Sequence, residues 1–176
     1  RMGHGAERIA CKQDGFGIQQ RQVSSLKSQP FLLIAGAKTA DSDELVRMAD
    51  ELAPGRVKFL FDIKHSEMPE LYTATDVFVF CVTHGIYGIA LAEAVASGLP
   101  CIVHDWPRVS WVAGPAGRVI DMTKDGSLAR VLLEWSDSGA RRPYAEAARA
   151  WAEARLSKSV IIQEYMDMYR NICKSM

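Results

Sequence analysis

Apolar and polar positions fall into two kinds of block along this chain. Short unbroken apolar runs alternate with longer stretches whose apolar residues return every three or four positions. The first kind is the signature of a strand buried on both faces, the second of an amphipathic helix, and their alternation predicts βαβ units around a mainly parallel sheet. Residues 31–35 read as a buried strand ending at Gly36. Asp41 stands where a helix cap is expected, with Glu44 completing a capping-box pattern, and Leu45, Met48, Ala49 and Leu52 form an inward stripe that Pro54-Gly55 ends. Residues 57–61 are the next strand, 66–73 a short helix, and 76–80 the strongest strand of all.

A loop with two glycines, Thr83-His84-Gly85-Ile86-Tyr87-Gly88, follows that strand and leads into a helix over 89–97, closed by Gly98 and Pro100. Residues 101–103 and 118–120 predict two more strands. Leu128, Val131, Leu132 and Trp135 mark another amphipathic helix, and from Pro143 onward the pattern gives two helices with a break near Leu156-Ser157. The fold class expected is α/β, a Rossmann-like parallel sheet flanked by helices, as a single domain over 1–176. Residues 1–30 hold no convincing apolar run. The strand that normally opens a doubly wound domain is not legible there, and the segment reads as irregular or incomplete.

Charge narrows the field. The 21 lysines and arginines balance 21 aspartates and glutamates, which leaves no global pull toward nucleic acid or anionic lipid, while a local basic pocket for phosphate is compatible with it. No apolar run approaches the length of a membrane span and no signal peptide opens the chain. The four cysteines, at 11, 81, 101 and 173, form no CxxC pair and no zinc-ligand cluster. Cys81 and Cys101 fall in apolar runs and are expected to be small buried hydrophobes, which suits a reducing, cytoplasmic setting. Arg141-Arg142 reads as a solvated helix start, with docking to an anionic membrane surface as the alternative.

The chemistry concentrates after the strand 76–80. Ligands of open parallel sheets bind beyond the carboxyl ends of the strands, where loops meet helix N-termini. Gly85 and Gly88 let backbone approach a ligand closely, and the exposed amides and positive dipole end of the next helix suit a diphosphate. Glu93 lies on a helix otherwise built from Ile89, Ala90, Leu91, Ala92, Ala94, Val95 and Ala96, so its carboxylate is expected to be partly buried and to require donors. Ribose hydroxyls would serve; a neighbouring arginine or open solvent is the plainer reading. His104 and Asp105, after the strand 101–103, are candidates to line a sugar pocket. Trp106 and Trp111 are expected to fill the core or the cleft wall, with stacking against a base or sugar as the alternative, and Met166 and Met168 to pack.

Two runs carry a resemblance. Met68-Pro69-Glu70-Leu71-Tyr72-Thr73-Ala74-Thr75-Asp76-Val77-Phe78-Val79-Phe80 resembles the segment that leads into the donor site of family-4-type (group 1) retaining glycosyltransferases. Gly88-Ile89-Ala90-Leu91-Ala92-Glu93-Ala94-Val95-Ala96-Ser97-Gly98-Leu99-Pro100 resembles the second half of that family's E-x7-E signature, and the tail with Gln163, Tyr165 and Tyr169 its closing helix. The resemblance implies the donor-binding half of a GT-B fold, holding a nucleoside-diphosphate sugar for transfer to an acceptor bound by an N-terminal domain. It implies that Glu93 binds the ribose and that the backbone around Ile86, Tyr87 and Gly88 contacts the donor's phosphates and sugar. Lys12 would stand for the family's phosphate-binding lysine. No metal or other cofactor is implied for this purpose, and no Asp-x-Asp motif occurs.

The chain departs from the signature at one point. The first glutamate should fall eight positions before Glu93, and that position is Gly85. A glycine offers no side chain to the sugar hydroxyls; the adjacent His84 is a partial substitute. The expectation is therefore a hexosyltransferase as part of a full-length protein, with the chain alone inactive. The alternatives are a non-catalytic or degenerate nucleotide-binding domain, or another GT-B enzyme such as a nucleotide-sugar epimerase.

Overall fold

The computed structural model describes residues 30–84 and 88–174. The expected opening segment and Lys12 lie outside the described residues, as do Gly85, Ile86 and Tyr87. The chain clusters into two compact units, Arg1–Met68 and Pro69–Met176. Among the described residues every strand pairing is parallel, as the alternation of blocks predicts.

In the first unit, β1 (Leu32–Gly36) pairs with β2 (Val57–Phe61) in a register that sets Leu32 against Val57 and Gly36 against Phe61. Between them runs α1 (Ser42–Leu52). The Asp41 capping box does not form: the side chain of Asp41 caps nothing, and Ser42 Oγ instead accepts from the Thr39 N–H at 2.8 Å. The inward stripe also differs from expectation, since Leu45, Met48 and Leu52 are 49%, 47% and 79% exposed. A described sheet of two strands is too narrow to cover a three-turn apolar stripe. A 3₁₀ turn (His65–Glu67) then leads into α2 (Met68–Thr73) at the boundary between the units.

The second unit is built on a three-stranded sheet in the order β3 (Phe78–Phe80), β4 (Cys101–His104), β5 (Gly117–Ile120). The central strand β4 is buried at all four positions. Alternation along it splits the core in two. Ile102 joins Val131 and Trp135, with Val79, Ile120, Met122, Leu128 and Tyr144 packed around them. On the opposite face, Cys101 and Val103 are closed over by α3 (Ile89–Ala96) and α4 (Pro107–Ala113), which bring fully buried Leu91, Ala94, Val95, Val109 and Val112. Burial pushes the Cys101 thiol up to about 12, so this cysteine behaves as the expected hydrophobe. Cys81, expected alike, is exposed because β3 has ended one residue earlier.

Helix α4 was not legible in the sequence. It starts on Pro107, which suits a first helical turn, and ends at Gly114. After β5 come α5 (Ser127–Glu134), α6 (Ser138–Arg155) and α7 (Lys158–Lys174). Helix α6 starts earlier than the pattern predicts: Asp137 caps it by accepting from the Gly139 N–H at 2.9 Å, and Pro143 falls within its second turn. Of the Arg141-Arg142 pair, Arg142 is solvated at the helix start as expected, whereas Arg141 is a structural tie. Arg141 reaches Asp76 Oδ1 at 2.8 Å and the Trp135 carbonyl at 2.7 Å, while Arg142 pairs with Glu146. On α7 the expected packing of Met166 and Met168 does not occur. Ile162, Tyr165, Met166, Tyr169 and Ile172 form an apolar face, each 47–60% exposed.

Gly114 joins α4 to a 3₁₀ turn (Gly114–Ala116) that packs against α6. Its φ of 52° and ψ of −141° lie in a region open essentially to glycine, and a Cβ there would overlap the Trp151 indole. That indole cannot withdraw freely, because its Nε1 donates to the Val112 carbonyl at 3.2 Å. Gly114→Ala is therefore expected to destabilise the chain by roughly 3 kcal/mol, combining backbone strain and overpacking, as read by chemical denaturation.

Candidate functional site

The carboxyl edge of the β3–β4–β5 sheet gathers most of the described candidates. Gly88 opens α3 with φ 78° and ψ 75°, the left-handed conformation that favours glycine, and its carbonyl accepts from the N–H groups of Leu91 and Ala92. Gly88 brings no side chain to cap the helix, so the first amides of α3 present the positive end of a helix to whatever lies above. A Cβ on Gly88 would sit 2.7 Å from Phe80 Cζ, so the backbone here rests directly on an aromatic ring.

That ring is one end of a continuous aromatic file. Phe80 and Phe78 are two apart on β3, hence on one face, with ring centroids 6.3 Å apart. Phe78 meets Tyr72 of α2 edge-to-face, at 5.9 Å and 70°. Tyr72 is 4% exposed, and its hydroxyl donates to Glu93 Oε2 at 2.9 Å. Burial first, and the bond to Glu93 second, hold the Tyr72 phenol well above its usual range, so it remains a neutral donor. Glu93 is half-buried, as the small residues around it imply, and one of its carboxylate oxygens accepts from this tyrosine.

The remaining candidates have diverse surroundings. His84 is exposed, its Nδ1 lies 3.0 Å from Thr83 Oγ1, and its ring sits 5.7 Å from that of Trp106. Trp106 is half-buried as a wall residue would be, whereas Trp111 is 42% exposed and does not fill the core. Asp105 is exposed, with its N–H given to the Ile120 carbonyl at 2.8 Å. His104 faces inward: it is 9% exposed, and its Nδ1 accepts from the Met122 N–H at 3.1 Å. That contact makes it a clamp between β4 and the chain leaving β5, with the proton of the neutral ring on Nε2.

Two features escaped sequence reasoning. Tyr72 is one, because nothing within its own segment reveals a partner 21 positions away. The other lies in the first unit, at the carboxyl ends of β1 and β2, where Ala35, Gly36, Ala37, Asp62, Ile63 and Met68 line a pocket of about 310 Å³. Asp62 holds a φ of 52°, unusual outside glycine, and its Oδ1 accepts from the Lys38 N–H at 3.2 Å. The glycine-poor run 35–38 gives no motif that would have announced it.

Comparison with known proteins bears on the family and the fold. The sequence profile described as glycosyl transferases group 1 matches residues 18–154. The O-antigen chain mannosyltransferase B of Escherichia coli is 24% identical over 125 residues, which is 70% of this chain and 32% of that protein. Among solved structures, the sucrose-phosphate synthase of Thermosynechococcus elongatus superposes with a TM-score of 0.72 at 21% identity, over 88% of this chain and 42% of the other. The C-terminal domain of a group 1 glycosyl transferase (LpcC) from Francisella tularensis gives a TM-score of 0.61 at 17% identity, over 79% of this chain and 93% of that domain. The chain thus spans about a third to two fifths of the longer relatives and nearly all of an isolated C-terminal domain. No helix among the described residues is long and apolar enough to cross a membrane. The fold is that of one Rossmann-like half of a GT-B protein, and the chain belongs to the group 1 glycosyltransferases.

Proposed function

We propose that this chain is the donor-binding domain of a sugar transferase, holding a nucleoside-diphosphate sugar while an acceptor is presented by a part of the polypeptide outside these residues. One observation carries the reading: a half-buried carboxylate, Glu93, sits little more than one helical turn below a left-handed glycine that opens α3 at the carboxyl edge of the sheet. The spacing suits a ligand with a diol next to a diphosphate. The amides at the start of α3 face the diphosphate, Glu93 accepts from the ribose hydroxyls, and the exposed His84 and Asp105 border the donor sugar.

In the transfer itself an acceptor hydroxyl supplies the electron pair for the new bond at the anomeric carbon, and its proton passes to the departing diphosphate oxygen. The bond from that carbon to the diphosphate breaks, and the leaving nucleoside diphosphate keeps its electrons. Charge therefore grows on the diphosphate, where fixed amide donors act without reorganising. A basic side chain such as Lys12 would add to them, and the scheme calls on no metal. Glu93 orients the donor and moves no proton.

A second reading is supported by Gly85, which stands where the family signature has its first glutamate. Without that carboxylate the domain would bind nucleotide but turn over poorly. Gly85→Glu in the longer polypeptide separates the two: a rise in transfer identifies an enzyme weakened at this position, and no change identifies a binding module.

Two outcomes are expected of the chain itself. Glu93→Ala should weaken the binding of UDP or GDP by about 1.5–3 kcal/mol, the scale of a hydrogen bond to a charged group, which calorimetry reads as about ten- to a hundred-and-fifty-fold. Unchanged affinity would remove the ribose role. The 176-residue chain, offered a nucleotide sugar and acceptor sugars, should release no glycoside by chromatography, and robust transfer would refute the need for a second part.

A further inference from the structure

The buried end of Glu93 has a dedicated partner. A glutamate side chain has several torsions, the last of them broad, so a carboxylate on a helix surface ordinarily samples many directions. Here Oε2 is bound by a hydroxyl whose own ring cannot move. Tyr72 is 4% exposed, and its ring is braced edge-on by Phe78, which is stacked in line with the Phe80 ring beneath Gly88. The two parts of the candidate site, the carboxylate and the left-handed glycine, are thus tied to one rigid file of aromatic rings. An ionised carboxylate offers about four acceptor directions, and the Tyr72 hydroxyl takes one of them.

We propose that Tyr72 is the positioning residue of this site: its hydroxyl fixes the Glu93 carboxylate so that a ribose diol is recognised while the diphosphate rests at the start of α3. The inference deepens the donor-binding reading and rests on it. Tyr72 touches no ligand. It acts by sparing the carboxylate a search among rotamers when nucleotide binds, and by setting the distance between the diol and diphosphate subsites. The neutrality of the buried phenol keeps the donor available across the working pH range.

The test compares UDP and GDP with their 2′,3′-dideoxy counterparts on the whole chain by calorimetry. Tyr72→Phe keeps the ring and its packing and removes only the hydroxyl. Affinity for the ribonucleotides is expected to fall about three- to tenfold, the range for losing one hydrogen bond, while affinity for the dideoxy compounds stays as in the parent. A merely structural tyrosine would lower both alike, and that result overturns the proposal. If Glu93→Ala weakens ribonucleotide binding but Tyr72→Phe does not, the positioning role falls and the ribose reading stands. If neither substitution matters, both fall together. Should Tyr72→Phe fail to fold, Glu93→Asp withdraws the carboxylate from the tyrosine by one methylene while keeping its charge. Discrimination between ribo and dideoxy nucleotides is then expected to shrink toward unity, and its full retention overturns the proposal.

Discussion

Burial of β4 on both faces is the constraint from which the second unit follows. Four consecutive residues, Cys101 to His104, are closed to water. A strand in that position needs paired neighbours on both edges, which here are parallel, and apolar cover on both sides, which helices supply. Helix α3 meets the requirement with Leu91, Ala94 and Val95, and α5 with Val131 ahead of Trp135. Once α3 is pressed onto the sheet in this way its N-terminus must sit at the carboxyl edge, and one residue of its flank, Glu93, is carried into the shade of α2. The candidate site is therefore a by-product of covering the strand, refined by a few polar choices.

Those polar choices are of two kinds. His104 and Arg141 hold chain to chain: one ties the end of β4 to Met122, the other ties α6 to Asp76 and to the carbonyl of Trp135. Glu93 and Tyr72 hold each other, with a carboxylate left half-exposed. A buried polar pair with one member at the surface is poor economy for stability alone, because burying a charge is unfavourable unless it is well bonded. The pairing makes sense if the exposed side has a ligand to meet.

Unbroken apolar runs made the strands legible, including β1, whose expected burial is not observed: most of its residues are exposed on the described two-stranded sheet. The runs Phe78–Phe80 and Cys101-Ile102-Val103 have no polar interruption, so the run of apolar residues alone identifies them. The reading failed where a pattern was satisfied in name only. The stripe on α1 has helical spacing, yet two described strands do not cover it. Asp41 has the right chemistry for a cap, but Ser42 takes the local hydrogen bonding. Helix α4 is short and apolar on most sides, between a tryptophan and a glycine-proline pair, and so has no period to read. At the site, Gly88 and Glu93 were visible through residue type and spacing. Tyr72 and the inward turn of His104 were not, since each is defined by a partner about twenty positions away in the chain.

The outward face of α7 has a consequence for the chain in solution. Five large side chains at successive turns, Ile162, Tyr165, Met166, Tyr169 and Ile172, stand about half uncovered. A contiguous strip of this kind is adhesive in water, and its attraction is apolar rather than ionic. Added sulfate or phosphate therefore strengthens self-association instead of screening it. The exposed Leu45, Met48 and Leu52 of α1 act in the same sense, so the apolar surface is spread over two helix faces, neither of which carries a group assigned to ligand binding.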